Sequence, residues 1–384
     1  MEHLTEDGVK ALLAEKPTAP AVTIYVPTHR SATPPHMTED QIRFKNLIHK
    51  AVDIIKNRED GKDVQKQLCD QLEALLDDKN FLEGQTEGML VCARPGKSTI
   101  FHLPIDTEEY VAVDTHYHLA PVFGLLHDAH EYYVLVVAQH EPAFYKGDMY
   151  GLHPTKLTLP KTVEEGLQID EMNQKSEQQR SAGGDTGGFN GRGGAKNPAE
   201  EERQRFWRMI DQLILNKTDA KLPLILAGVE SELSEYREQS HYPHVLQDII
   251  TGSFRGANLH ELFALAQPVI RTEIVQKDHD QIVEQFERLK GENETRVGRT
   301  VAAISDGAQE GRVDTLLLAM LRITTDTIKD DTRAVPVITF PEVEESSQAL
   351  HDIASTVWAA GGHIINIEQD AMPDGLVAAA IFRY

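Results

Sequence analysis

The stretch Gly183-Gly-Asp-Thr-Gly-Gly-Phe-Asn-Gly-Arg-Gly-Gly194 runs almost directly into a marked helix start, Asn197-Pro-Ala-Glu200. Asn197 is suited to cap the helix, Pro198 fits its first turn, and Glu200 completes a capping box. An apolar stripe spaced for one helix face follows, at Phe206, Met209, Ile210, Leu213 and Ile214. A buried strand comes next, Leu222-Pro-Leu-Ile-Leu-Ala227. A helix that leads into an apolar strand is typical of α/β folds.

The same alternation continues on both sides of this stretch. Apolar runs predict strands at 21–26, 88–93, 99–103, 132–138, 313–319, 335–338, 363–367 and 376–382. Helical spacing predicts helices at 39–57, 64–76, 230–238, 244–250, 278–290, 299–309 and 346–360. We therefore predict the α/β class, with mixed α/β layer domains at 1–128, 129–271 and 272–384. The central domain carries the glycine-rich finger, defined here as residues 183–196.

Composition limits the classes of function. The chain has 384 residues and a formal net charge of −23, which argues against a general nucleic-acid binder with a basic surface. No apolar run approaches the ~20 residues of a membrane span, and the first 25 residues lack a signal-peptide pattern. We expect a cytoplasmic protein without a membrane segment. Cys69 and Cys92 are the only cysteines, too few for a disulfide framework or a cysteine-based zinc site.

The finger is the strongest functional signal. Seven of the twelve residues from Gly183 to Gly194 are glycine, and each loses much backbone entropy when it is ordered. Between Thr186 and Ala199 the chain carries Arg192 and Lys196 and no acid. A flexible, locally basic segment on an acidic protein favours insertion beside RNA, while a surface insertion without function is the alternative. We expect the finger to be mobile in the free protein and ordered by RNA.

Two other motifs give weaker hypotheses. His116 and His118 would share one face of a strand, which suits either metal ligands or ordinary polar strand residues, and no third ligand is evident nearby. Gly96-Lys97-Ser98 resembles the end of a phosphate-binding loop. The leading glycine of that motif is replaced by Val91 and no helix pattern follows, so a hairpin turn is favoured.

Three passages together resemble the class I release factors of archaea and eukaryotes and their ribosome-rescue relative Pelota. Gly191-Arg-Gly-Gly194 resembles the Gly-Arg-Gly-Gly-Gln loop that release factors insert into the peptidyl transferase centre. Gly311-Arg-Val-Asp-Thr-Leu-Leu-Leu318 resembles a strand of their third domain, and Gly361-Gly362 through Gly375–Tyr384 resembles that domain's ending. The resemblance implies a tRNA-shaped, three-domain architecture.

Two departures from the family pattern affect the function. Ala195 stands where release factors have the catalytic glutamine, and a methyl group cannot position a hydrolytic water. The first segment also lacks the Asn-Ile-Lys-Ser motif for stop-codon recognition. The chain therefore resembles the bacterial ribosome-hibernation members of this family, which occupy the A site and inhibit translation. We expect no enzymatic activity, no cofactor and no metal.

The resemblance also implies contacts and partners. The finger residues expected to contact ribosomal RNA are Phe189, Asn190, Gly191, Arg192, Gly193, Gly194, Ala195 and Lys196. The loop with His29, Arg30 and His36 is the candidate for the decoding centre. A translational GTPase such as elongation factor Tu is expected to dock on 272–384, and the protein is expected to be a monomer.

Two enzymatic alternatives remain open. A rescue hydrolase could cleave peptidyl-tRNA by using backbone N–H groups of the glycine loop in place of the glutamine. A stand-alone nuclease or phosphate-binding enzyme is the other, but the sequence offers neither a carboxylate cluster nor an intact phosphate loop for it.

Overall fold

The computed structural model describes residues 2–15, 20–30, 33–59, 61–77, 86–168, 198–256, 258–328, 331–340 and 344–384. The chain divides into two compact units. Unit 1 combines Met1–Ala129 with Asp278–Tyr384, and unit 2 is His130–Lys277. Helices pack against mixed sheets in both units, so the predicted α/β class is confirmed.

The first sheet of unit 1 has five strands: β1 (Glu2–His3), β2 (Ala21–Pro27), β3 (Gly88–Arg94), β4 (Lys97–Leu103) and β6 (Tyr110–Asp114). Their order is β1-β4-β3-β2-β6. Helix α1 (Glu6–Leu13) precedes β2, and α2 (Pro34–Lys56) and α3 (Lys62–Ala74) follow it. The buried sides of α2 and α3 pack against β2 and β3. Gly96 occupies the β3–β4 hairpin turn with a φ of 85°, which favours the turn reading over a phosphate loop.

The second sheet of unit 1 contains β5 (Asp106–Thr107), β12 (Val297–Gly298), β13 (Val313–Ile328), β14 (Asp331–Ile338), β15 (His363–Glu368) and β16 (Ala378–Phe382). The order is β12-β16-β13-β14-β5, with β15 paired to β13. Four helices accompany it: α4 (Ala120–His127), α8 (Gln276–Glu292), α9 (Val301–Gln309) and α10 (Glu344–Ala359). Phe286 of α8 is fully buried in its core, beside Leu317 and Ile365. Short 3₁₀ turns lie at Leu75–Asp77, Glu294–Arg296, Gln369–Ala371 and Pro373–Gly375.

Unit 2 is a three-layer sandwich. Its strands are β7 (Tyr132–Val137), β8 (Ala143–Gly147), β9 (Leu152–Pro154), β10 (Leu224–Gly228) and β11 (Val245–Thr251), in the order β11-β10-β7-β8-β9. Helices α5 (Pro198–Lys217) and α6 (Glu230–Gln239) cover one face, and α7 (Leu259–Ile270) covers the other. Alternate residues of β7 enter the two cores, which is why this strand is apolar throughout. A π-helical turn, Arg271–Val275, continues from α7 into α8.

The first and third predicted segments lie in one unit. Strand β5 of the first segment pairs with β14 of the third, and α4 packs on β15. The buried Asn366 side chain of β15 donates a hydrogen bond to the Pro121 carbonyl of α4 at 2.8 Å. The chain crosses between the units at 129–130 and 277–278. Residues 278–384 therefore build their sheet and core together with pieces of the first segment.

Three local predictions are wrong. The sequence predicts a helix at 244–250, whereas the structure has β11 there, paired in parallel with β10. The prediction is wrong because pairing with a neighbouring strand is a tertiary effect that local spacing cannot reveal. The helical spacing at 39–57 places Ile42 on one apolar side together with Phe44 and Leu47, but 57% of its surface is exposed. His116 and His118 follow the last residue of β6 and lie outside any strand.

In the part of the chain that the structure describes, no helix combines the length and the apolar character needed to span a bilayer.

Candidate RNA-contacting sites

The glycine-rich finger lies outside the described residues. This holds for Phe189, Asn190, Gly191, Arg192, Gly193, Gly194, Ala195 and Lys196, and for the proposed cap Asn197. What the structure describes is the helix that follows, α5, which begins at Pro198 as predicted. The predicted contacts and mobility of the finger stay predictions.

The first turns of α5 are tied to α6 by an ion pair. The Arg203 guanidinium donates two hydrogen bonds to Glu235, from Nε to Oε2 at 3.0 Å and from Nη2 to Oε1 at 2.9 Å. The hydrogen bonds from Arg203 hold the pKa of the Glu235 carboxyl below its usual value. The Trp207 indole, which is fully buried, also donates to Glu235 at 3.4 Å. Arg203 is therefore charge-paired and fixes the helix, and it is not a spare cation for RNA.

A second anchor lies farther along α5. The Asp211 side chain is 1% exposed and accepts hydrogen bonds from Tyr236 Oη at 3.1 Å and Ser240 Oγ at 2.6 Å. It also accepts the backbone N–H of His241 at 2.8 Å. These bonds satisfy the buried carboxylate, which would otherwise be costly in the core. The helix that leaves the finger is thus held by α6 and by the loop that follows α6.

The structure brings together two of the three residues predicted in one loop, although only His29 lies in the loop after β2 and His36 lies in the first turn of α2. The His29 and His36 rings stack with centroids 4.2 Å apart and an interplanar angle of 13°. Asp40, at the start of α2 and 2% exposed, accepts the His29 backbone N–H at 2.9 Å and lies 2.8 Å from His29 Nδ1. One carboxylate therefore fixes both the backbone and the ring of His29. The stacked rings offer planar surface and ring nitrogens, the groups that contact unstacked bases.

Arg30, the third predicted residue, pairs with Glu87 and not with Asp40. Its Nε and Nη2 donate to the two oxygens of Glu87, each at 2.6 Å. A bidentate pair of this kind neutralises the guanidinium locally. Glu87 and Asp40 offset the cations of this loop, so it is not a basic patch. Any contact with RNA here depends on the two histidine rings more than on net positive charge.

The sequence predicts His29 and Arg30 as candidates but does not reveal the carboxylates that hold them. Asp40 follows His29 by eleven positions and Glu87 follows Arg30 by fifty-seven. No local pattern links residues so far apart, since the fold alone brings them together. Glu235 and Asp211 were missed for the same reason.

The metal hypothesis gains no support at His116 and His118. The described residues contain no group of three or more histidine, cysteine or carboxylate side chains arranged for a metal ion. His118 instead lies 3.1 Å from Asp114 and 2.6 Å from the Tyr110 hydroxyl, and 6% of its surface is exposed. It is a buried, hydrogen-bonded histidine.

Unit 2 has a shallow cleft at the carboxyl ends of β7, β10 and β11, where open α/β sheets commonly bind ligands. Its volume is about 280 Å³. The Gln139 amide donates to Glu232 at 3.0 Å, and Arg255, one of the lining residues, pairs with Glu141 at 2.8 Å. These paired groups leave no concentration of positive charge for a phosphate.

Comparison with known proteins gives one informative match. Residues 131–312 match the model of bacterial archaeo-eukaryotic release factor family 3. This range covers just under half of the chain, including the whole finger. No match to a curated protein was found.

Several solved structures are similar at low identity. The archaeal translation termination factor aRF1 is 13% identical, with a TM-score of 0.25, over 98% of this chain and 96% of its own. Archaeoglobus fulgidus Pelota is 12% identical, with a TM-score of 0.31, over 77% and 79%. Archaeal Pelota from a model of its ribosome-bound form with ABCE1 is 11% identical, with a TM-score of 0.33, over 100% and 95%. These superpositions are too loose to carry an argument about function.

Proposed function

We propose that this chain is a ribosome-binding translation factor that occupies the A site and inhibits translation, in the manner of the hibernation factor Balon. The observation that carries the proposal is the family match over 131–312, because the matched range contains the Gly-Arg-Gly-Gly finger. Ala195 directly follows that motif in place of glutamine. The finger then serves to occupy the peptidyl transferase centre without ester hydrolysis.

Among the described residues, helix α5, which follows the finger, is anchored to its neighbours at two points. Arg203 and Asp211 tie the start and the middle of α5 to α6 and its following loop. A helix of twenty residues spans ~30 Å and an extended finger adds a similar distance. This reach suits a factor whose first segment lies toward the decoding centre, with His29 and His36 as its candidate contacts.

The partners and location follow from the same proposal. Ribosomal RNA of the A site is the principal partner, a translational GTPase such as elongation factor Tu docks through residues 272–384, and the factor acts as a cytoplasmic monomer. Because those residues share a sheet with β5 and a core with α4, the GTPase interaction should be measured with the full chain.

The experiment is co-sedimentation with purified ribosomes over a range of salt concentrations. Phosphate contacts release counterions, so binding should weaken steadily as salt rises. Arg192→Ala with Lys196→Ala should lower the salt slope by about 2, roughly one for each lost contact. The control is Lys156→Ala with Lys221→Ala, which changes the net charge equally at two exposed positions of unit 2. Equal salt slopes in the two double variants would remove the finger from the proposal.

A rescue hydrolase is the second candidate. The retained glycines of the finger favour it, since their N–H groups could still hold a water or an oxyanion. Peptide release from purified ribosomes distinguishes this function from A-site occupancy alone.

A further inference from the structure

A buried histidine pair joins the first and third segments inside unit 1. His118, in the loop between β6 and α4, and His351 of α10 stack with ring centroids 4.3 Å apart and an interplanar angle of 29°. They are 6% and 1% exposed, respectively. His351 Nδ1 accepts the backbone N–H of Ala120, the first residue of α4, at 3.1 Å.

The hydrogen bond from Ala120 fixes the His351 ring as neutral, and the contacts of His118 suit a neutral ring as well. An N–H donor at 3.1 Å requires an unprotonated Nδ1 on His351, so its proton is on Nε2. That Nε2 is buried and has no hydrogen-bond partner among the residues that the structure describes. His118 Nε2 donates to Asp114 at 3.1 Å, and its Nδ1 accepts from the Tyr110 hydroxyl at 2.6 Å. Every nitrogen except His351 Nε2 is satisfied in this arrangement.

We propose that the His118–His351 pair holds α4 and α10 together in a pH-sensitive way. The two helices stay packed while both rings are neutral and separate when His351 is protonated. A proton on His351 Nδ1 displaces the Ala120 N–H and leaves that donor buried without an acceptor. It also places a positive charge in a buried site, stacked against a second imidazole.

The surrounding groups do not cancel this effect. Asp114 of β6 accepts from His118, and Tyr110 of the same strand faces both rings. His116 lies 3.7 Å from Asp352 on the exposed side of α10. No carboxylate contacts His351 among the described residues. Burial, with His118 beside it, lowers the pKa of His351 well below its usual range.

The direction of the pH effect follows from the two histidines. Burial also lowers the pKa of His118, although the Asp114 carboxylate opposes it. Both groups bind protons more readily when the chain is unfolded, at about pH 6.5. The stabilisation is therefore complete above about pH 6.5 and is lost as the pH falls below it. Each proton that the unfolded chain binds and the folded chain does not bind raises the equilibrium constant for opening about tenfold for each unit by which the pH falls.

Hydrogen–deuterium exchange of the full chain at pH 7.5 and pH 5.5 tests the proposal, with rates corrected for the chemical pH dependence of exchange. Peptides from α4 and α10 should show at least about tenfold greater opening at pH 5.5, since each histidine with an unmatched proton contributes up to about tenfold over this range. In His351→Gln, whose amide oxygen can still accept the Ala120 N–H, the increase should be about tenfold smaller, with any remainder due to His118. His49→Gln, at an exposed position of α2, is the control and should retain the full wild-type increase.

Two outcomes overturn the proposal: no acid-induced opening in the wild type, or the same opening in His351→Gln. If His351→Gln does not fold, ring NMR signals of the wild type decide. The proposal requires one histidine ring that stays neutral well below pH 6.5 and takes up its proton as α4 and α10 open. Titration of all histidine rings near pH 6.5 overturns it.

Discussion

Gly124→Ala tests whether α4 is an integral part of unit 1. A Cβ at Gly124 would lie 2.3 Å from both Cγ and Nδ2 of Asn366 and 2.7 Å from its Oδ1. Asn366 is 2% exposed and donates to the Pro121 carbonyl, so it has little room to move. The added methyl group must displace this side chain or separate α4 from β15.

The expected cost is the balance of three effects. Overpacking of a tight core costs about 1–3 kcal/mol, and loss of the Asn366–Pro121 hydrogen bond costs about 1 kcal/mol more. The greater helix propensity of alanine offsets about 1 kcal/mol. We expect Gly124→Ala to lower the free energy of unfolding of unit 1 by about 2 kcal/mol. Gly291→Ala, in α8 where no atom of the described residues lies near the added Cβ, should raise it by about 0.5–1 kcal/mol.

The two tryptophans of the chain allow each unit to be followed separately. Trp358 of α10 stacks on Phe123 with centroids 5.2 Å apart, directly beside the substituted position. In a Trp207→Phe background its fluorescence therefore reports guanidinium unfolding of unit 1. Adding Asn366→Ala should make the double variant at least about 1 kcal/mol more stable than the sum of the single effects, because the clash is removed. A Gly124→Ala protein as stable as the wild type, with additive effects, would refute the packing of α4 on β15.

Further predictions concern the helix after the finger and the finger itself. Asp211→Ala should destabilise unit 2 by about 3 kcal/mol, because it leaves three buried or partly buried donors without their acceptor. Trp207 fluorescence in a Trp358→Phe background measures this loss of stability. Ala195→Gln should produce ribosome-dependent peptide release that the wild type lacks, since it restores the side chain used by release factors. Comparable release by both proteins would contradict A-site occupancy without hydrolysis and favour the rescue hydrolase.

The elements that the sequence predicted well are those with a strong local pattern. Helix α2 and the β3–β4 hairpin carry their own spacing and turn residues, and the structure has them within a few positions of the prediction. Strand β11 was mistaken for a helix because its residues 245–251 have no clear period of two, and its pairing with β10 is a tertiary effect. Helix α4 was not predicted, since its short apolar run is equally compatible with other buried structure.

In the candidate sites, too, the sequence predicts some residues, whereas their partners are brought close only by the fold. The sequence predicts His29 and His36 in one loop after a strand, whereas the structure has His36 in the first turn of α2, with the two rings in contact. Asp40, which holds His29, and Glu87, the partner of Arg30, follow those residues by eleven and fifty-seven positions, so no local spacing reveals them. The pairing of Arg203 with Glu235 likewise joins residues thirty-two positions apart, on α5 and α6.

Delivery of aminoacyl-tRNA to purified ribosomes with peptidyl-tRNA in the P site tests the central claim most directly. The protein is added in increasing amounts, and both the new peptide bond and the free peptide are measured. A factor that occupies the A site should abolish peptide-bond formation at saturation and release no peptide. Release of the peptide on addition of the protein, or normal peptide-bond formation on ribosomes saturated with it, would contradict the account.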